Sequence, residues 1–549
     1  MTLLPIFPHQ TASTLMLYVL IVSGVSTVNC DAEEPDSTDK VVTSQKASPS
    51  STTKRPIRRI RHEDIHGPTR TQNIDLRQCY LLALSNNLDL EIAGIDPRIL
   101  LTQVRESRAS RDPLLNFSIS RTRSKSQTGS SLSGASLLIS DTNSGSLGIS
   151  KTSWLGTSYS LSFGYSRTHT NNSFTTLNPA YNSDMTFTIS QPLLRNFGFE
   201  QNRSTLKQTI LQHQQSLFDF QKSALDVLQE VENKYWDLVF THADLQFKKD
   251  SVTLAKDLLR ITRIRKRVGE VTRIEELEAE AGVASAEQTL ILAVKALSQA
   301  QDDLKRLIHP HDMSFLWNVT LLPMAEIPIT VPTVPDHPVD ELASINRALA
   351  WRPSILRLRQ QVEISTLAAE EARGLLLPKL DLEGSVKVHG KAGDRDEAFD
   401  DNKSGRFFDW SASLTLEIPI GNRVARNQYQ RTMYQRQQAQ SQVHSAERTL
   451  IHEVRTAIRD VTSATRQINA AKKVTRFNRD TYEAEKKRFQ VGQSTLFRID
   501  EFREKYTQAR TSEVSSYINY RKALAQLKRS EGSSLSSLEE LGIDLKTSR

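Results

Sequence analysis

A chain of 549 residues with a net charge of +8 and a mean hydropathy of −0.44 has room for several domains, and it is too polar to hide a bundle of membrane helices. Its basic residues are spread over helical stretches with no basic block interleaved with aromatics, which argues against nucleic acid as a partner. Two cysteines make no disulfide framework, and beyond the N-terminus no apolar run approaches the ~18 residues of a spanning helix, so any membrane crossing must use alternating strands.

Residues 1–30 read as a signal peptide. The run Leu15-Met16-Leu17-Tyr18-Val19-Leu20-Ile21-Val22 has the length of an h-region, although no Lys or Arg precedes Lys40. The competing reading is a start assigned upstream of the real one. Cys30 closes the run and is a lipidation candidate whose flanks, Thr27-Val28-Asn29, fit badly. Residues 31–71 are rich in Ser, Thr, Pro and Lys and then basic, a composition expected to be a disordered linker. Inside it, His62-Glu63-Asp64-Ile65-His66 matches the zinc-protease H-E-x-x-H formally. That motif needs a helix to bring both histidines to one face, and here Gly67-Pro68 follows at once, so chance explains it. Cys79 is most simply a small buried apolar residue.

Residues 72–308 form a first structural repeat. Ile74 to Arg111 reads as helix with a kink at Pro97. Alternation begins at Leu115, Phe117 and Ile119 (a strand over about 114–121) and returns at Met185, Phe187 and Ile189 (about 183–192). Between them, residues 125–182 are rich in Ser, Gly and Thr and contain shorter alternating pieces, Leu147-Ile149 and Tyr159 to Tyr165. This region could form a surface ribbon or add two spanning strands; Lys151 and the many serines favour the ribbon. A long helix over 200–267 carries Leu217, Ala224, Val231, Leu238, Leu245, Val252 and Leu259 at seven-residue spacing, the pattern of helices that wind about neighbours. Val268-Gly269 ends it, and a return helix covers 273–308.

Residues 309–339 are a proline-rich, irregular linker. The series then restarts over 340–530. A helix leads to strands at about 379–388 and 408–419, a long helix at 423–490, a Val491-Gly492 break and a return helix at 496–530. A polar tail, 531–549, follows. Pro192 matches Pro419 at an offset of about 227, and Val268-Gly269 matches Val491-Gly492 at about 223, so the unit is duplicated. Four such strands cannot close a barrel, for which about eight are needed. Open edges in lipid leave backbone groups unpaired, so closure requires further copies of the chain. Each long helix would run ~100 Å, and its apolar seam has only other helices to pack against. Strands closed by several copies and continued by such helices would make a duct.

The two copies, with Leu375-Leu376-Leu377-Pro378 before a strand, Gln191-Pro192-Leu193-Leu194 at the end of another and Val-Gly at each helical turn, resemble the TolC-like outer-membrane efflux proteins. The likeness covers about Ile74 to Ser530 and rests on duplicated order and lengths, since no single motif is specific. It implies a mostly α fold with membrane β: a homotrimer whose 12-stranded β-barrel sits in outer-membrane lipid and continues as a periplasmic α-helical coiled-coil barrel. The linker at 309–339 would lie in its equatorial region. It implies a passive export duct of a tripartite efflux or type I secretion system, docked to a periplasmic adaptor (membrane fusion) protein and an inner-membrane RND or ABC transporter. It also implies a gate near the Val-Gly turns, where acidic residues follow the second glycine at +6 and +9. Those positions here are Arg498 and Glu501, with Asp500 between them, and Glu275 and Glu278 in the first copy. Arg498 departs from the pattern. It is expected to pair with Glu275 or Glu278 on an adjacent hairpin and latch the tip, against the plainer reading of solvated charges at a helix end. Val268, Gly269, Val491 and Gly492 are the candidates for adaptor contact. No P-loop, nucleophile elbow, paired-cysteine metal site or dinucleotide turn is present in the sequence, so no enzyme, metal or cofactor is expected. The alternative is a non-transporting coiled-coil structural protein of the envelope, which would have no use for amphipathic strands.

Overall fold

The computed structural model of the protein describes residues 70–127, 135–308, 318–325 and 339–533. The expected signal peptide with Cys30, the His62–His66 motif, most of the 309–339 linker and most of the tail lie outside the described residues. The first half runs β1 (Arg70–Ile74), α1 (Leu76–Asn86), α2 (Leu88–Ala109), β2 (Leu114–Gln127), β3 (Leu137–Thr152), β4 (Ser158–Thr170), β5 (Ala180–Pro192), α3 (Phe199–Arg267) and α4 (Arg273–Ile308). The second runs β6 (Val319–Pro323), α5 (Glu341–Trp351), α6 (Pro353–Gly374), β7 (Lys379–Ala392), α7 (Arg395–Ser404), β8 (Phe408–Glu417), α8 (Arg423–Gln490) and α9 (Leu496–Glu531).

Two details of the first helices and the linker differ from the sequence reading. The break between α1 and α2 falls at Asn87, whose side-chain oxygen accepts from the Asp89 and Leu90 amides and caps α2; Pro97 lies inside α2. Residues 319–323, expected to be irregular, form β6 and pair in parallel with β1. Leu321 is fully buried there beside Ile74, Leu304 and Tyr235, and this burial holds so short a strand in place. The same cluster takes in Cys79, so the thiol is a core group, pushed up to about 12 by burial.

The larger correction concerns the sheet. β2, β3, β4, β5, β7 and β8 form one antiparallel sheet in that order, so the chain contributes six strands to it where four were expected. Residues 125–182 are not a detached ribbon. β3 follows β2 from Leu114↔Ser150 to Gln127↔Leu137, and β4 continues the sheet to β5. The serines misled because they are the polar half of a period-two pattern whose other half faces the opposite way. Lys151 sits near the end of β3 opposite Tyr159, on the apolar face one row beyond Ile149.

The register makes the two faces explicit. Phe117, Leu147, Phe163, Met185, Val388 and Phe408 stand in one row across all six strands. Leu115, Ile149, Leu161, Phe187, Val386 and Trp410 stand in the next row on the same face. The intervening row, on the opposite face, is Asn116, Gly148, Ser162, Thr186, Lys387 and Asp409. Phe408 to Leu416 alone gives an apolar stripe ~27 Å along β8, against the ~25 Å band of outer-membrane barrels. At the far end of the sheet from the helices, α7 lies against β5 and β7. Phe399 stacks on Phe163 and Tyr165, and Asn402 donates to the Ser183 hydroxyl. Gly390 permits this approach, because a Cβ there would lie 2.1 Å from the Ala398 carbonyl oxygen.

No described helix is long and apolar enough to cross a membrane. The helices pack in layers with several separate cores. Leu450, Val454, Ala457 and Ile458 of α8 meet Ala348, Ile355 and Leu527, while Leu258, Ala279, Tyr482, Phe489, Leu496 and Ile499 pack near the hairpin tips. In the heptad series of α3, Ala224, Val231, Leu238 and Val252 are buried and Leu217 is exposed.

Candidate functional site

The two helical hairpins turn in the same way. The Gly269 amide donates to Lys266 O and the Glu270 amide to Arg265 O; Gly492 and Gln493 repeat this onto Phe489 O and Arg488 O. These paired bonds close a helix C-terminus through a residue of positive φ, here +82° at Gly269 and +76° at Gly492. A Cβ on either glycine would meet nothing, so the need is for backbone sign, not space. The preceding Val268 and Val491 are both about two-thirds exposed, at 68% and 69%, which leaves matched apolar side chains at the two turns.

Beyond the first turn, the carboxylates named from spacing have separate duties. Glu275 accepts from the Thr272 amide at 2.7 Å and serves the start of α4. Glu278 is exposed. Glu276, which spacing did not single out, is the buried one. Lys266 and Arg273 bond its carboxylate and hold its pKa down to about 2, and Arg263 adds a contact at 3.4 Å.

Beyond the second turn, Arg498 makes its ion pair within the chain with Glu485 of α8, at 3.7 Å. The same buried carboxylate receives Arg488 and the Ser494 hydroxyl. Glu501 pairs with Lys505 at 2.6 Å along its own helix. Asp500 turns toward the first hairpin, where a Cβ on Gly282 of α4 would lie 3.6 Å from Oδ1. It takes a 2.7 Å bond from Arg503. Burial raises the Asp500 pKa against the opposing pull of Arg503. Arg503 is buried, and among the described residues its Nε and Nη1 meet no partner.

A polar contact that spans the two tips belongs to Arg265, a residue the sequence reading passed over. Its guanidinium lies 4.5 Å from the centre of the Phe489 ring, and Nη2 donates to Phe489 O and to Gln490 O. These carbonyls are at the C-terminal end of α8, the negative end of the helix dipole, so cation, ring and dipole attract together. The signal was present in the duplication: Arg265 and Arg488 each stand four residues before their glycine. Nothing in that spacing says which of the two crosses to the other hairpin.

The described residues therefore present an amphipathic sheet, long helices and tied tips, with no group of His, Cys, Asp and Glu among them placed to hold a metal ion. The sequence model of the outer membrane efflux protein family matches residues 157–308 and 344–533, more than half of the chain and one segment in each repeat. No curated protein sequence matches. Among solved structures, the Campylobacter jejuni CmeC outer membrane channel is 19% identical at a TM-score of 0.62, over 86% of this chain and 90% of that one. The open-state MtrE outer membrane channel of Neisseria gonorrhoeae is 17% identical at 0.60, over 84% and 89%. The outer membrane protein VceC of Vibrio cholerae is 15% identical at 0.59, over 83% and 96%. At these identities the likeness is one of fold.

Proposed function

The chain belongs to the outer membrane efflux protein family, and on that premise we propose that three copies close into a passive duct fed by a periplasmic adaptor and an inner-membrane RND or ABC transporter. It is a subunit of an outer-membrane efflux channel, with its sheet in the outer membrane and its helices in the periplasm. The observation that carries the proposal is the pair of unbroken apolar rows across the sheet, backed by a polar row. Such a sheet has its apolar face satisfied by lipid and its polar face by water in a bore. A coiled-coil envelope protein that transports nothing has no use for it, and a bore needs no catalytic step.

The gate is part of the same proposal. Arg265 ties the first hairpin tip to the second within each chain. Arg498 sits beside the second turn, where in an assembled tip it can exchange Glu485 for Glu275 or Glu278 of a neighbouring copy. Each exposed pair is worth only ~0–1 kcal/mol, but three related copies act together. Val268 and Val491, exposed beside Gly269 and Gly492, are the proposed adaptor contacts.

Single-channel recording on the purified protein in planar bilayers tests this. The wild type is expected to open in small steps, and Arg265→Ala to raise conductance several-fold. Arg265→Lys, which keeps the charge but loses the planar two-acceptor fork, is expected to resemble Arg265→Ala. Unchanged conductance in Arg265→Ala and in an Arg498→Ala/Glu275→Ala pair removes the gate. Purified trimers that never conduct remove the duct.

A further inference from the structure

We propose that the β3–β4 hairpin widens the exit: three chains close an eighteen-stranded wall whose bore takes bulky, neutral, hydrophilic cargo of the polysaccharide type. This rests on the trimeric duct proposed above. Three copies of a six-stranded sheet make eighteen strands, and barrel diameter grows roughly linearly with strand number, so the bore is about half again that of a twelve-stranded wall.

Four observations place the hairpin in the wall. It pairs along its whole length with β2 on one side and β5 on the other. It carries its share of both apolar rows, Leu147 and Ile149 on β3, Leu161 and Phe163 on β4. Its turn is anchored at the helix junction: Trp154 lies 5.3 Å from the Arg111 guanidinium just past α2 and 5.7 Å from that of Arg203 in α3. The Gly198 amide donates to Leu155 O, and a Cβ on Gly156 would strike the Asn196 carbonyl oxygen at 2.6 Å. A ribbon pinned in this way cannot swing clear of the sheet.

The fourth observation is the edges. β2 and β8 are the strands of this sheet in which every residue is exposed. Six antiparallel strands leave these edges running in opposite directions, so β8 of one copy can continue into β2 of the next with the same alternation. The match to the family's sequence begins at residue 157, which leaves β2 and β3 outside it.

The cargo class follows from the lining. On the polar face β3 and β4 present hydroxyls and glycine from Ser140 and Thr142 through Ser160 and Ser162 to Thr170, with Leu138 at the outer end of β3 the one apolar side chain. Neighbouring hydroxyls bond to one another, Ser118 with Ser146 at 2.9 Å and Ser120 with Ser144 at 2.7 Å. The charges of this face are concentrated on β7 and β8, among them Glu383, Lys387 and Asp409. The inserted strands thus add width and no ring of charge. A wide hydroxyl wall hydrogen-bonds sugars weakly and repeatedly and selects little by sign.

The test uses the full chain in proteoliposomes, in a background with Cys30→Ser and Cys79→Ser. Ser162→Cys is expected to react with a water-soluble maleimide and Leu161→Cys to be shielded by lipid. Equal labelling of the two overturns the wall. In bilayers, polyethylene glycols of graded size added on the exterior side should enter the wild type. Deleting residues 137–170 should cut the diameter limit to about two thirds. An unchanged limit also overturns the proposal. If the deletion variant does not assemble, the cysteine pair still decides. A reversal potential near zero in a KCl gradient is expected, and strong ion selectivity overturns the neutral cargo. A conducting trimer imaged with twelve wall strands removes the width alone, whereas a monomer without a pore removes the export reading as well.

Discussion

Arg503 is buried with one carboxylate, Asp500, to answer its charge. Taking one member of a buried pair away strands the other, which costs more than the pair contributes. Asp500→Ala is therefore expected to destabilise the second hairpin tip by roughly 2 kcal/mol, below the ~3–5 of a fully enclosed pair because Asp500 keeps 36% of its side chain exposed. Asp500→Leu combined with Arg503→Met should recover most of that loss. Hydrogen exchange over residues 490–505 reads the difference, and equal exchange in the single and double variants contradicts it. At this scale the sequence was partly legible. Arg498 stood out against its family pattern, but its partner Glu485 lies across the turn on α8. Spacing cannot rank that carboxylate against the equally plausible Glu275 and Glu278. Arg265 was missed because its partners are backbone carbonyls, which have no sequence signature.

At the scale of elements, Val-Gly at each turn was readable because only glycine holds positive φ without strain. Gly492→Ala should cost ~1–2 kcal/mol from backbone strain alone, since nothing crowds the site. Gly492→Asn should cost less, because Asn tolerates the left-handed region. Amide exchange at the end of α8 would order the three proteins, and an alanine variant as protected as the wild type contradicts the strain argument. β3 and β4 were harder. Ser144 and Ser146 look like loop residues until Leu147 and Ile149 are seen to share a face with Leu161 and Phe163 two strands on. β6 was invisible for another reason: its partner β1 is far upstream in the chain, and a five-residue strand has no pattern of its own to announce that pairing.

At the scale of the whole molecule, the duplication was legible, while the number of strands each chain gives to its sheet was not. The helices ask for neighbours as the sheet does. On α4, Ile291 and Leu292 remain 69% and 60% exposed, apolar side chains left largely uncovered among the described residues. Ile291→Glu should leave the fold of each chain intact, since no buried core includes it, and should break the assembly. Mass photometry in detergent is expected to move from trimer toward monomer, with helicity by circular dichroism unchanged. A stable trimer would show that this face looks outward to water.

The bare borders of β2 and β8 carry a consequence for how the protein is made. A barrel built from one polypeptide can zip shut on its own and enter the bilayer as a finished object. In the trimeric wall proposed above a lone subunit has no finished form, because its edge strands β2 and β8, exposed along their whole length, are left to pair with siblings. On that proposal insertion and association are one concerted event. Its rate would then fall steeply when newly made chains are scarce, and an unassembled chain would leave its apolar sheet uncovered.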